Sequence, residues 1–419
     1  MTINQNEKKI DRIIIILFSL YPIAILSGNL IINSFVLIIG TIFFVRFLKK
    51  DFYFFQYKDI FYLLGFFFIS LIINLFFSYN IYLSYQRVLK IFFIIFFVVA
   101  FKFLIINHYN NIKTIYKFWC IIFLIVLIDL LVELNTGKNM LGQSSIMPGR
   151  LASFTGEESV IGNYFFGFSL IFLSCLYNFS KKIIFNLFVL VFLIIISFYI
   201  GERSNFIKTF ICIILFLFFA YKVNYKYKIF ALILMSILSV LIFFNLENLL
   251  GKKKYDAYEI RYLSQIKSLS SQGLTKYLED TQYGAHRNVA KEIFLDNFYF
   301  GVGVKNFRNE SANKKYDKLD HKQNHLRVSN HPHELYYEIL SETGTFGLFS
   351  FLIFILFSIF LSLKNYLKFK NIYQLSSIIF VLVSIVPVLP AGSFLSTYAS
   401  SIFWINYAIM MGYNKSIIK

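Results

Sequence analysis

The stretch HPHELYYEILSETGTFG, His331–Gly347, lies between a long polar segment and an apolar run of membrane-spanning character. Its apolar residues recur at helical spacing, as in Leu335, Ile339 and Leu340. The Thr343–Gly344 pair predicts that this helix ends or kinks before it enters the membrane. The stretch therefore predicts a helix that starts at the membrane surface and leads into a transmembrane span.

Two histidines precede this predicted helix. Pro332 lies between them, and a proline disfavours the helical conformation in the residue before it, here His331. His333 then lies at the start of the helix, where its side chain can face a ligand. An imidazole suits general-base chemistry near neutral pH. A polar start of an interfacial helix, without a catalytic role, fits the same motif when it is taken alone.

Composition indicates the class of protein. Of the 419 residues, 58% are hydrophobic, which is more apolar surface than a soluble chain of this length can bury. The net charge is +19, yet the basic residues separate apolar segments and form no basic domain, so we predict no nucleic-acid partner. The cysteines lie inside apolar segments and lack metal or disulfide spacing: Cys120, Cys175 and Cys212. We therefore expect a polytopic protein of the lipid bilayer.

Twelve apolar segments are candidate transmembrane helices. No small-residue cleavage site follows the first one, so we expect it to be retained. Lysines and arginines cluster in every second connection, which predicts that both termini lie in the cytoplasm. The segments are Ile13–Ser27, Leu30–Val45, Ile60–Phe77, Val88–Ile106, Phe118–Leu134, Ile161–Leu176, Ile183–Ile200, Phe206–Tyr221, Ile229–Phe244, Phe346–Leu363, Ile372–Leu389 and Phe394–Met411.

The predicted fold is all-α, with about 12 transmembrane helices and one large periplasmic loop between helices 9 and 10. Residues 1–246 would form helices 1–9 with short loops, residues 247–345 the periplasmic loop and the histidine-bearing interfacial helix, and residues 346–419 helices 10–12. Five of the six histidines then share the outer face: His286, His321, His325, His331 and His333. This asymmetry predicts chemistry on that face. A zinc cluster of the last four is an alternative, although their spacing is a weak ligand pattern.

Arginines also lie at membrane edges on the predicted outer side. A guanidinium near hydrocarbon is costly without a partner, and its planar fork suits bidentate binding of phosphate. These arginines are therefore candidate anion ligands: Arg87, Arg150, Arg203 and Arg287. The alternative interpretation is that each reaches the lipid headgroups or pairs with a nearby acid such as Glu202.

Five segments resemble motifs of the O-antigen ligase and O-antigen polymerase superfamily of bacterial glycan-assembling membrane proteins. HPHELYYEILSETGTFG is similar to the histidine-centred motif of that superfamily, and HRNVAKEIFLDNFYFGVGVKNF to the stretch upstream of it. GRLASFTGEESVIGNYF and GERSNF are similar to two arginine-bearing segments, and PVLPAGSF resembles a late motif of polymerase-like members. Glu334 departs from the pattern, because the family usually has asparagine at that position.

The resemblance implies a metal-independent glycosyltransferase without cofactors, facing the periplasm from the bacterial inner membrane. The donor would be a glycan on undecaprenyl diphosphate. The acceptor would be a lipid-linked glycan in a polymerase or lipid A-core in a ligase, both of lipopolysaccharide biosynthesis, and PVLPAGSF favours the polymerase. A histidine can take the acceptor proton and arginines can hold the diphosphate. The implied base is His333, the implied diphosphate ligands are Arg203 and Arg287 with Arg150 and Arg87, and the supporting residues are Glu334, His331 and Glu342. A polysaccharide flippase or transporter remains the alternative from another class.

Overall fold

The computed structural model is helical, and the residues that it describes contain no β-strand. This confirms the all-α polytopic class. A helix satisfies its own backbone hydrogen bonds, which a segment surrounded by lipid requires. The structure describes residues 5–414 except 53, 159, 181, 222–224, 227, 230–232, 234–236, 238–251, 264–269, 272, 274–275, 277–279 and 388.

The first eight helices are α1 Gln5–Leu26, α2 Asn29–Leu48, α3 Lys58–Leu75, α4 Ile81–Asn107, α5 Tyr109–Thr136, α6 Ile161–Phe179, α7 Ile183–Tyr199 and α8 Arg203–Ala220. Those described after them are α9 Lys252–Tyr258, α10 Gln282–Asp296, α11 Phe307–Glu310, α12 Leu335–Phe369, α13 Ile372–Ser384 and α14 Tyr398–Gly412.

Seven of these helices are long and apolar enough to cross a membrane: α2, α3, α4, α5, α6, α8 and α12. Helices α7 and α13 are apolar but shorter. Each predicted span overlaps a described helix except Ile229–Phe244, most of which lies outside the described residues. The predicted Ile372–Leu389 extends beyond the end of α13 at Ser384, and the predicted Phe394–Met411 begins before α14. The total of twelve spans and their orientation therefore stay predictions.

The chain forms two compact units that each combine distant parts of the sequence. The first unit comprises residues 1–32, 104–267 and 369–383, and in it α5 packs against α1 and α6, while α6 packs against α7 and α8. Buried aromatic residues with polar edges fix these contacts. The indole nitrogen of Trp119 donates to the Phe18 carbonyl at 2.7 Å, and the Tyr116 ring stacks on Tyr373 at 4.1 Å between centroids.

The second unit comprises residues 33–103, 268–368 and 384–419. Its core contains a buried ion pair in which the Lys102 ammonium donates to both oxygens of Asp59 at 2.8 and 2.9 Å. Two hydrogen bonds to one carboxylate satisfy a charge that would be costly alone at this depth. Aromatic packing surrounds it, as where the Phe354 ring stacks on Phe67 at 5.2 Å.

Helix α12 is kinked at Gly344, as the sequence predicts, because this glycine has φ 67° and ψ −168°. In a straight helix the carbonyls of residues 341 and 342 would accept from the amides of residues 345 and 346. Here all four groups bond to the loop of residues 298–303 instead. The bonds are Val302 N–H to Ser341 O at 3.0 Å, Gly303 N–H to Glu342 O at 2.8 Å, Thr345 N–H to Phe298 O at 2.9 Å and Phe346 N–H to Tyr299 O at 3.2 Å. The loop is thus inserted into the hydrogen-bond ladder of the helix.

Asn74, on α3, fastens the same loop from the other side. Its amide nitrogen donates to the carbonyls of Phe300 at 2.5 Å and Glu342 at 3.1 Å, and its side-chain oxygen accepts from the Val304 amide at 3.2 Å. One buried side chain therefore joins the loop and the kinked helix. The residues on either side of the kink are held in a rigid arrangement.

Candidate active site

The centre of the candidate site is a cluster of aromatic and histidine rings around His333, in the second unit. The His333 ring lies 4.0 Å from that of His331, 5.2 Å from that of His286 and 5.1 Å from that of Tyr283, measured between centroids. His333 also has a left-handed backbone, with φ 58°. Such a conformation costs free energy in a non-glycine residue and persists only where surrounding contacts impose it.

The backbone of Ala391 imposes the arrangement of the two motif histidines. Its amide donates to the His333 carbonyl at 2.9 Å, and its carbonyl accepts from Nε2 of His331 at 3.3 Å. Ala391 belongs to PVLPAGSF, so the late motif holds the histidine motif in place. His286 is fixed separately, because its Nε2 donates to the Leu326 carbonyl at 2.9 Å. A carbonyl oxygen only accepts, so the neutral rings of His286 and His331 carry their proton on Nε2.

Burial keeps the imidazoles neutral. Burial, with a smaller contribution in the same direction from the neighbouring His331 and His286, lowers the pKa of His333 to about 3. Burial also lowers the pKa of His331 and of His286. A neutral imidazole has a lone pair that can accept a proton, which is the form a general base requires.

This environment gives an expected pH dependence. Because the pKa of His333 is low in the empty site, kcat/KM should not fall from protonation of this group as the pH is lowered from 7 to about 5. A bound anionic substrate favours the imidazolium and raises the pKa, so the acid limb of kcat should lie at higher pH than that of kcat/KM. Initial rates across this pH range at several substrate concentrations would measure both limbs. A half-loss of kcat/KM near pH 6.5 would contradict the expectation.

Three acids of α12 and its start have different tasks. Glu334 accepts from the Tyr337 amide at 2.9 Å and so caps the helix, which explains how a glutamate serves at this position. Glu338, one turn later, accepts from the Ser393 hydroxyl and from the Phe394 amide at 2.9 Å. Glu342 is fully buried and lies beside the backbone amides of Lys305 and Phe307.

Two of the four candidate arginines belong to the same unit as the histidines. Arg287 lies on α10 next to His286 in sequence, and its Nε donates to the Tyr283 carbonyl at 3.3 Å. Arg87 lies on α4, and its Nη1 donates to Thr397 Oγ1 at 3.0 Å. Both are half-buried, so their positive charge is not fully exposed to solvent.

The other two arginines belong to the first unit, where their backbones are close. Gly201 has φ 79°, and a Cβ there would lie 1.9 Å from the Gly149 carbonyl and 3.1 Å from the Arg150 Cα. Arg203 begins α8 two residues later. Glu202 between them accepts from the Gly162 amide at 2.7 Å and from Asn205 Nδ2 at 2.6 Å. The two arginine-bearing motifs therefore meet in space although they are distant in sequence.

Buried acids of α5 hold the loop that carries Arg150. Glu133 accepts from the amides of Ala152 and Ser153, the latter at 2.7 Å. Asp129 accepts from the Met140 amide at 2.6 Å and from the Ser153 hydroxyl at 2.5 Å. These carboxylates organise a loop, which is a different task from the proton relay that a transporter would need.

The structure adds residues that sequence reasoning did not select. Lys305 in GVGVKNF and Glu338 both approach Ser393, the lysine ammonium at 3.5 Å from its hydroxyl. Two features of the sequence could have identified these residues: a lysine that follows a GVG turn, and acidic residues that are spaced by one helical turn.

In the described part of the chain no group of three or more His, Cys, Asp or Glu is arranged to hold a metal ion.

The fold and this site define a polytopic membrane protein with a buried, neutral histidine beside basic side chains. Residues 187–352 match the family model described as O-antigen ligase. This match, which covers less than half of the chain, supports the resemblance to the O-antigen ligase and polymerase superfamily. The matched range contains Arg203, Arg287 and His333, whereas Arg87 and Arg150 precede it. No curated protein matches the chain with significance.

Proposed function

We propose that the protein is a polymerase-like glycosyltransferase that joins undecaprenyl-diphosphate-linked glycan units on the periplasmic face of the inner membrane. The observation that carries this proposal is the neutral His333, held at the start of a membrane helix within the residues that match the family. The aromatic ring of Tyr283 beside it offers a face on which a sugar could pack.

In the proposed reaction His333 accepts the proton of an acceptor hydroxyl as that oxygen attacks the anomeric carbon of the donor. The new glycosidic C–O bond forms while the bond from the anomeric carbon to the diphosphate oxygen breaks. The diphosphate leaves on its lipid with the bonding electrons. The donor is already activated, so the protein needs to supply a base and cations for the leaving group.

The proposed cations are arginines, whose charge persists at any working pH. Arg287 is supported by its position beside His286 on α10. Arg203 and Arg150 are supported by the meeting of their two backbone segments in the first unit. Glu334 and His331 would act through His333, the first by capping the helix that follows it and the second by packing against its ring.

The proposal is tested with purified protein, reconstituted in vesicles and supplied with a lipid-linked repeat unit from its own bacterium. A ladder of longer lipid-linked glycans supports the polymerase. Product formed only when lipid A-core is added supports the ligase alternative. Movement of the glycan across the vesicle membrane without a new glycosidic bond would instead indicate the transporter.

Arg203→Lys is expected to reduce transfer about tenfold or more although it preserves the charge. A lysine ammonium cannot reproduce the two parallel hydrogen bonds that a guanidinium gives to a phosphate. Glycan chain length in a deletion strain and rates in vesicles would measure the effect. The control is Arg308→Lys, because Arg308 is exposed on α11. Equal activity of the two variants would remove Arg203 from the proposed diphosphate ligands.

A further inference from the structure

Three basic side chains of the second unit turn their charged ends into the protein. The Lys90 ammonium is buried and has no hydrogen-bond partner among the described residues. Arg87, less than one turn earlier on α4, donates from Nη1 to Thr397 Oγ1 at 3.0 Å. The Lys305 ammonium lies 3.5 Å from the Ser393 hydroxyl, which is the long limit of a hydrogen bond. Some N–H groups of these three side chains are therefore not used in hydrogen bonds within the described residues.

The charges of this cluster do not balance. Two acids of α12 lie in this region, Glu338 and Glu342, and the oxygens of Glu338 accept from the Ser393 hydroxyl and the Phe394 amide. Glu342 interacts electrostatically with Arg87 and Lys305 and lies beside the backbone amides of Lys305 and Phe307. Three positive and two negative side chains leave one positive charge in excess. A buried ammonium without a hydrogen-bond partner costs free energy, which an anion bound beside it would offset.

The cluster adjoins the histidines. The positive charge of Lys305 acts on His331, whose ring lies 4.0 Å from that of His333. Ser393 links Lys305 to the segment whose Ala391 holds both histidines. At about 1.5 Å per residue, Lys90 lies about 14 Å from the start of α4, within the span. An anion at the cluster would therefore be close to the base and deeper than a headgroup on the surface.

The conformation of the backbone around Lys305 fixes the point from which the lysine side chain extends. Gly303 has φ 97° and Lys305 has φ 66°, a left-handed conformation that is uncommon for lysine. Asn306 stabilises the turn, because its Nδ2 donates to Ser78 Oγ at 2.9 Å and to Ser84 Oγ at 3.0 Å. Strained backbone fixed by buried hydrogen bonds is typical of functional positions.

We propose that Arg87, Lys90 and Lys305 form an oxyanion site that takes one phosphoryl group of the lipid-linked substrate. Each phosphoryl group of a diphosphate diester carries one negative charge, which equals the excess of the cluster. This inference rests on the proposed function for the identity of the ligand, whereas the anion site itself rests on the geometry of the cluster.

The test measures binding of undecaprenyl diphosphate to the full-length protein in phosphatidylcholine nanodiscs, which needs no transfer. Lys90→Met and Lys305→Met should each weaken binding roughly tenfold to a hundredfold, as expected for loss of a charge-assisted hydrogen bond. Binding of uncharged undecaprenol should not change. Lys318→Met is the matched control, because Lys318 is an exposed lysine of the same unit.

Thermal stability without ligand separates this site from a structural ion cluster. If the Lys90 ammonium serves to bind an anion of the substrate, Lys90→Met removes an unsatisfied buried charge from the ligand-free protein. The Tm of the variant should then equal or exceed that of the original protein. If Lys90 instead neutralises Glu342, the same variant should lower the Tm. A lower Tm together with unchanged affinity for undecaprenyl diphosphate would overturn the proposal.

Two further arms identify the source of the phosphate and the relation to catalysis. Competition by phosphatidylglycerol at equimolar amounts would show that the site holds a lipid headgroup, which contradicts the substrate assignment. Weak binding in the lysine variants, combined with no glycan transfer by the unaltered protein, would leave the anion site standing while the proposed function fails. Unchanged binding in both lysine variants, with His333→Ala inactive, would show that the anion site is wrong while the proposed function stands.

Discussion

His333→Ala is expected to lower glycosyl transfer about 10²–10⁴-fold while the protein still inserts in the membrane and still binds its lipid-linked donor. This range is typical for removal of a general base. Donor binding should persist, because in our proposal the basic side chains hold the diphosphate and the imidazole meets only the acceptor hydroxyl. The loss should therefore appear in kcat more than in the dissociation constant for the donor.

Glycan chain length in a deletion strain, with a blot for protein level, measures this effect in cells. The matched control is His325→Ala, because His325 is exposed and has no proposed role. His331→Ala should do less harm, since the Ala391 amide would still hold the His333 backbone at 2.9 Å. Normal glycan from His333→Ala at normal expression would show that the base is another group.

Gly344→Ala is expected to prevent the second unit from folding correctly, with loss of activity. Gly344 has φ 67° and ψ −168°, a conformation that is almost confined to glycine and that costs other residues about 1–3 kcal/mol. A Cβ at this position would also lie 2.3 Å from the Tyr299 carbonyl and 2.5 Å from the Phe300 amide. Both atoms belong to backbone that is fixed by the inserted loop, so neither can move away cheaply.

Size-exclusion profiles of detergent-solubilised protein, followed by thermal unfolding, would measure this loss. Gly65→Ala is the matched control, since a Cβ at Gly65 meets nothing within 4 Å and alanine favours a helix. The control should be as stable as the original protein or slightly more stable. If Gly344→Ala were equally stable, the kink would be unnecessary for the fold.

The helices could be predicted from the sequence because the signal for them is local. Apolar runs of membrane-spanning length need no partner to be recognised, and the backbone of each must bond to itself in lipid. The kink was also readable, since Thr343-Gly344 interrupts the helix at that position. Only the segment Ile229–Phe244 has no described helix to compare with it.

The candidate site could be predicted only in part. His333 and the arginines stand out because histidine and arginine are unusual next to apolar spans. Their environments were not readable: the low pKa of His333 comes from burial and from His286, which is 47 positions away in the chain. Lys305 and Lys90 looked like ordinary basic residues of a basic chain.

The sequence by itself determined the membrane class, the positions of the helices and the identity of the chemical groups. The tertiary structure decided which groups meet. Ala391 holds the histidine motif, the loop of residues 298–303 enters the α12 ladder, and Lys305 joins Arg87 and Lys90. The physical reason is that hydropathy and helix formation act between residues close in sequence, whereas burial of a charge depends on every segment packed around it.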